Sequence, residues 1–285
     1  MTRIAGERDD ATVHAILLVG GKGTRLWPRT RHQPKALVKL GHYSILEIIL
    51  RRLRDCGCDR VTLCISHLGH MIRREFGNGR RLGVPVDYCV DEHPLGTAAP
   101  LHLVPDWTSP AVVMNGDILT TIDFADLYRQ HERGTGRLTV AFHRSLLAAG
   151  VGVVRVLDGR VEAIWEKPSV EWNINAGIYV ADPLVRKYVP TGSPADMPSL
   201  ITALIEHGET VNGYGFSGEW HDIGTPFRYQ RAMKEFLTNP ERYLKPDAVG
   251  DGRYVPVCAR GFKRNAPAPP KRTPLRPNAA WPERV

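Results

Sequence analysis

No apolar run in the 285-residue sequence approaches the roughly 18 residues that a membrane helix needs, so no membrane-spanning segment and no membrane partner are expected. The opening stretch, MTRIAGERDDATVH, carries charges on both sides of a weak apolar patch and does not read as a secretory signal. Cysteine is scarce: Cys56, Cys58, Cys64, Cys89 and Cys258 make an odd set of five. Their spacing fits neither a disulfide ladder nor a CxxC pair, which excludes a disulfide-stapled scaffold and points to reduced thiols and a cytoplasmic location. There is no internal repeat, and the last forty residues show no hexapeptide pattern of a β-helix. Ser66, Ser145 and Ser217 sit in no G-x-S-x-G elbow. His67 and His70 lack both the H-E-x-x-H frame and a cysteine partner in register for zinc. No RNA-binding module signature occurs.

The composition that remains is ordinary for a globular chain, at 42% hydrophobic and 24% charged, with enough length to bury a full core. The net charge of +8 invites a nucleic-acid reading, but its distribution does not support one. Residues 245–285 hold nine Lys/Arg against three Asp/Glu, leaving the other 244 residues at only +2. The same segment has eight of the 22 prolines, in runs such as APAPPKRTPLRP, and reads as an extended basic tail. Residues 1–244 read as a single domain.

Within it, strand and helix signals alternate. The run Val13–Val19 predicts a buried strand. Ser44 is placed to cap a helix of helical apolar spacing that stops at Gly57. Strand signals follow at 60–66, 84–90, 111–114 and 138–143, with helical ones at 70–76, 97–104 and 124–133. This order predicts an α/β fold with a doubly wound, mostly parallel, Rossmann-like sheet over residues 13–144. After Gly150 the rhythm changes. Asp158-Gly159 between two short apolar runs is a strong hairpin signal, so residues 150–237 read as a smaller β-hairpin lobe with helices at 197–207 and 226–238.

The stretch LLVGGKGTRLWPRTRHQPKAL, Leu17 to Leu37, places a glycine cluster after a strand. Such a turn exposes backbone N–H groups that suit a phosphate chain. Gly20, Gly21 and Gly23 permit positive φ angles and close approach. Neither familiar glycine motif fits. The dinucleotide fingerprint needs glycine where Leu26 stands, and the P-loop needs Ser or Thr where Gly23 follows Lys22.

The pair GGKGTRLWPRT and QPKAL resembles the signature of the sugar-1-phosphate nucleotidylyltransferases, the nucleoside-diphosphate-sugar pyrophosphorylases. The resemblance runs from about Ala15 to Leu237 and implies the nucleotide-diphospho-sugar transferase fold, with a nucleotide-binding half at 13–144 and a sugar-binding half at 150–237. It implies that Leu18, Gly20, Gly21, Gly23 and Thr24 hold the nucleotide, and that Arg25 and Lys35 neutralise its phosphates. Gly96 and Thr97, in PLGTA, match a loop that passes base and ribose. Asp117 in NGD and Asp222 in WHDIGT match two carboxylates that bind Mg²⁺, an ion suited to few protein oxygens plus substrate phosphate. Glu166 and Lys167 in EKP match residues for the sugar and its phosphate, with Gly152, Asn175 and Gly177 beside them. The catalytic set implied is Arg25, Lys35, Asp117 and Lys167.

The segment HRSLLAAG, 143–150, departs from the more polar stretch expected there and leaves the sugar open. The look of Glu92 to Ala98 and the lack of a β-helix resemble mannose- and heptose-1-phosphate guanylyltransferases, which favours GTP. The implied partners are an NTP and a sugar or cyclitol 1-phosphate, with a homodimer as a further expectation. ATP, dTTP or another NTP, a non-sugar phosphate acceptor, and a non-catalytic nucleotide-sugar sensor stay open as alternatives.

Overall fold

A computed structural model describes residues 13–21, 23–92 and 95–245, all within one compact unit, Met1–Pro246. The basic tail from residue 246 and Pro94 of the PLGTA loop lie outside the described residues.

The chain opens with β1 (Val13–Leu18), followed by a short ribbon of β2 (Lys39–Leu40) and β3 (Tyr43–Ser44). Helix α1 (Ile45–Asp55) starts where Ser44 Oγ accepts from the Glu47 amide at 3.2 Å. It buries Ile45, Leu46, Ile48, Ile49, Leu50 and Leu53, the apolar stripe that the sequence predicts. Next come β4 (Cys58–Ile65), α2 (Gly69–Phe76), β5 (Val86–Val90), β6 (Ala111–Asn115) and β7 (Ile118–Thr120). Helix α3 (Phe124–Arg133) is capped by Asp123, whose carboxylate accepts from the Asp126 amide at 2.9 Å. Then follow β8 (Leu138–Ala148), β9 (Val153–Leu157), β10 (Arg160–Trp165) and β11 (Ser169–Ala181). Helix α4 (Met197–Glu206), β12 (Val211–Phe216), β13 (Trp220–Asp222) and α5 (Pro226–Thr238) complete it.

Seven strands form the central sheet in the order β12-β8-β11-β6-β1-β4-β5. Neighbours run parallel except around β11, which is antiparallel to both β6 and β8. The sheet is buried on both faces. On β1, Ala15 and Leu17 enter one apolar cluster and Ile16 the other; on β6, Met114 and Val113 divide in the same way. The doubly wound, mostly parallel α/β sheet expected from the sequence is therefore present. The second half of the chain is joined to the first through it, because β11 and β12 are strands of that one sheet.

The hairpin β9–β10 turns at Asp158 and Gly159, both in left-handed conformation (φ 47° and 75°), as the sequence signal requires. It forms a separate two-stranded sheet whose residues are almost all exposed. Beside it, the outer parts of β8 and β11 pair with each other from Ser169↔Ala148 to Asn175↔Phe142, so these three segments make an arm. The segment HRSLLAAG is the outer half of β8 and part of that arm. No helix among the described residues is long and apolar enough to cross a membrane, and the four described cysteines are unbridged.

Candidate active site

The carboxyl ends of β1, β4, β5 and β6 border a cavity of about 650 Å³, the place where open α/β sheets bind ligands. β1 delivers Leu18, Val19, Gly20 and Gly21 to its wall. The turn is pinned by its neighbours: the Val19 amide donates to Cys64 O at 3.0 Å, and the Gly116 amide to Leu18 O at 2.9 Å. The glycines divide their roles more narrowly than expected. Only Gly23 of the three is left-handed, at φ 64°. A Cβ on Gly20 would come within 2.9 Å of Ser66 Cβ, whereas one on Gly21 would meet nothing within 4 Å. Thr30 Oγ1 donates to Gly23 O at 2.7 Å and closes the loop on itself.

A second loop is clipped into place from across the cavity. The amides of Ala98 and Ala99 donate to Ala195 O, at 3.0 and 3.3 Å, and the Met197 amide donates to Thr97 Oγ1 at 3.0 Å. Gly96 in this loop has φ 113°, and a Cβ there would lie 2.3 Å from Ala195 O.

Asp117 follows β6 and Asp222 ends β13. They meet because β13 pairs with β7, placing Asp222 opposite Ile118, and because the Ile223 amide donates to Asp117 O at 3.1 Å. Each carboxylate holds a cation. Lys35 Nζ donates to Asp117 Oδ2, and Arg228 Nη1 to Asp222 Oδ2. The floor is the bulge of β11 between Asn175 and Tyr179. There Asn175 Oδ1 accepts from the Gly177 amide at 2.9 Å while its Nδ2 donates to Tyr179 Oη at 3.0 Å. Burial raises the Tyr179 phenol above its usual pKa, so its proton is retained. Trp220 Nε1 donates to Ala176 O at 2.9 Å and fixes that floor to β13.

Of the residues singled out in the sequence, Leu18, Gly20, Gly21, Arg25, Lys35, Gly96, Thr97, Asp117, Asn175, Gly177 and Asp222 line this one cavity. Gly23 and Thr24 stand beside it, at the start of the turn that carries Arg25. Gly152, Glu166 and Lys167 are not on its wall; they lie on the arm, with the Glu166 and Lys167 side chains largely in solvent. Lys167 holds a left-handed backbone (φ 45°), rare for a residue with a side chain. Asp91, Asn115, Tyr179 and Arg228 are among the lining residues that went unassigned in the sequence. Asn115 follows from its place beside Gly116-Asp117, and its buried Oδ1 has no partner. Asp91 and Arg228 gave no signal beyond being charged.

Among the described residues no group of three or more His, Cys, Asp or Glu gathers to enclose a metal. Two hard carboxylate oxygens on adjoining segments suit instead an ion that completes its shell with substrate phosphate, so the donor set fits a divalent cation of the Mg²⁺ type.

A glycine loop, two basic residues and two carboxylates on the carboxyl edge of a doubly wound sheet define a nucleotide-handling transferase fold. The sequence profile of the nucleotidyl transferase family matches residues 14–239, and the chain belongs to that family. It is 33% identical over 233 residues to a mannose-1-phosphate guanylyltransferase of Mycobacterium tuberculosis, covering 79% of this chain and 65% of that protein. It is 30% identical over 246 residues to a UTP–glucose-1-phosphate uridylyltransferase of Synechocystis, covering 79% of this chain and 63% of the relative. The chain thus spans a little under two thirds of these relatives' length. Among solved structures, HddC from Yersinia pseudotuberculosis shares the fold at a TM-score of 0.61 and 21% identity, covering 79% of this chain and all of that one (100%). The resemblance drawn from the motifs therefore holds at the level of the family.

Proposed function

We propose that this chain transfers a nucleoside monophosphate from an NTP, with GTP favoured, to a sugar or cyclitol 1-phosphate, releasing pyrophosphate. The observation that carries the reading is the convergence of the glycine loop, Arg25, Lys35, Asp117 and Asp222 on one cavity. In this reaction a phosphate oxygen of the acceptor attacks the α-phosphorus, and the bond from that phosphorus to the bridging oxygen of pyrophosphate breaks. The attacking oxygen is already anionic, so the protein supplies position and charge rather than a nucleophile. The loop amides and Gly96-Thr97 seat the nucleotide. Arg25 and Lys35 offset charge on the leaving pyrophosphate. Asp117 and Asp222 would hold Mg²⁺, which supplies Lewis-acid stabilisation of the reacting phosphates. Asn175 and Gly177 border the acceptor, and Glu166 and Lys167, on the arm, are assigned to its sugar and phosphate.

Two points support GTP. The M. tuberculosis relative is named a guanylyltransferase. Asp91 lines the same cavity as Gly96, and a carboxylate is the acceptor that guanine's N1–H and N2–H donors need. UTP, ATP and dTTP are the competitors. The division into nucleotide and sugar halves is part of this proposal. So is a homodimer, supported by apolar residues exposed on the arm, such as Val161 (65%) and Ile164 (70%); sedimentation velocity reads it directly.

The test is pyrophosphate release in Mg²⁺, with ATP, GTP, CTP, UTP and dTTP crossed against mannose, glucose, heptose and cyclitol 1-phosphates. Release confined to one nucleotide and one acceptor is the expected result. Silence with NTP still bound leaves an acceptor outside this panel or the non-catalytic sensor, and silence with no NTP bound removes the reading of the glycine loop.

A further inference from the structure

Three cations line the cavity among the described residues: Arg25, Lys35 and Arg228. Three carboxylates face them: Asp91, Asp117 and Asp222. Two cations are engaged on the two aspartates that fit a metal, Lys35 on Asp117 and Arg228 on Asp222. A cation held by a carboxylate is not free for phosphate. A carboxylate held by a cation is not free for a metal.

Arg228 is placed for an exchange. It sits in the first turn of α5, whose cap fixes it: the Arg228 amide donates to Thr225 Oγ1 at 3.3 Å. Its side chain is 54% exposed, against 12% for Lys35, so it reaches Asp222 across open cavity rather than through packing. An ion pair that exposed is weak, and a divalent cation displaces it readily. The guanidinium so released remains on the wall. Its planar fork of donors matches phosphate oxygens, which a surface counter-ion would not need.

We propose that Arg228 is a further phosphate-binding residue of this site, held on Asp222 until a divalent cation takes that carboxylate, and that it thereby couples metal binding to phosphate binding. The proposal rests on the functional reading above, because it takes the anion to be the substrate's phosphates. Coupling of this kind is reciprocal: metal favours phosphate as much as phosphate favours metal.

The experiment uses the full chain and the variants R228Q and R228K. Mn²⁺ is titrated into each without nucleotide, following the free-ion EPR signal. The tightest-binding NTP is then titrated at saturating Mg²⁺ by calorimetry. R228Q is expected to bind Mn²⁺ more tightly, by about fivefold, because its competitor for Asp222 is gone. The same variant is expected to bind NTP about tenfold more weakly, on the scale of one lost charged hydrogen bond. R228K should fall between in both. A merely structural role moves neither in opposite senses. Unchanged Mn²⁺ affinity, or tighter Mn²⁺ with unchanged NTP affinity, overturns the proposal and leaves the functional reading standing. A wild-type chain that binds Mn²⁺ but no NTP overturns both.

Discussion

Asp117 and Asp222 reach one cavity through backbone, not through each other. The strand pair β7–β13 and the bond from the Ile223 amide to Asp117 O set their places, so neither carboxylate is needed to hold the two segments together. Replacing Asp117 by Asn keeps the shape and removes the charge. Turnover is expected to drop by at least ~10²-fold with the melting temperature held, as is usual when charge stabilisation is lost. Pyrophosphate-release kinetics beside a thermal melt check this, and near-normal turnover would take Asp117 out of the metal site. Asp91 admits a sharper test of the base. As Asn it offers a donor where guanine also donates. The ratio of kcat/KM for GTP over UTP is expected to fall about 10²-fold in Asp91→Asn, the cost of an unmatched buried polar pair. An unchanged ratio would mean that the base is read elsewhere.

At the scale of elements, β1 carries a pH dependence. His14 is 4% exposed, and its Nε2 lies 2.9 Å from Thr62 Oγ1 on β4. Burial, with the Arg60 guanidinium beside it, holds its pKa down to about 4. The unfolded chain takes up that proton near pH 6.5, so the unfolded state binds more protons between the two values. Stability is then complete above about pH 6.5 and is lost as pH falls toward 4, by up to about 3 kcal/mol. His131 and His221, also lowered chiefly by burial, add with the same sign. Urea midpoints at pH 7 and 4.5 measure the loss, and His14→Gln is expected to flatten part of it. A slope identical to wild type would assign the dependence to the other two.

Elements with a local signature were legible in the sequence: β1 by its apolar run, α1 by Ser44 and its spacing, the β9–β10 turn by Asp-Gly. Other stretches had none, among them β12 and the outer half of β11. β12, VNGYGF, reads as turn because of its glycines, yet the glycines belong to the strand. A Cβ on Gly215 would lie 2.9 Å from the Phe142 ring of the paired β8, so the ring takes the space that side chains would fill. The outer half of β11 is polar because both faces of the arm meet solvent, which erases the alternation that marks a half-buried strand. The site divides likewise. Residues inside a spaced motif were found. Arg228 and Asp91 were not, because a charge outside a motif looks like any surface charge until the fold places it on a cavity.

Within the unit Met1–Pro246, the hairpin β9–β10 and the outer parts of β8 and β11 extend from the central sheet as an arm. Val153 and Trp165 are paired at the base of the β9–β10 hairpin, so a short Gly-Ser link can replace what lies between them without opening the core. Such a variant is expected to fold and to bind NTP as the wild type does. Its transfer to the acceptor should fall at least ~10²-fold, as positioning of the second substrate is lost. Full transfer would show that the arm takes no part.

The single antiparallel strand has a consequence for the order in which the chain is made. β11 lies between β6 and β8, both of which leave the ribosome before it. Until Ala181 has emerged, β6 offers an open edge of buried-type residues, Ala111 to Met114, and β8 has nowhere in the sheet to dock. Synthesis therefore passes through a window in which β6, β1, β4 and β5 can pair while β8 has no neighbour. A chain released at Pro168 is expected to aggregate and one released at Lys245 to stay in solution, as pelleting of translation products would show; equal solubility would mean that β6 is shielded some other way.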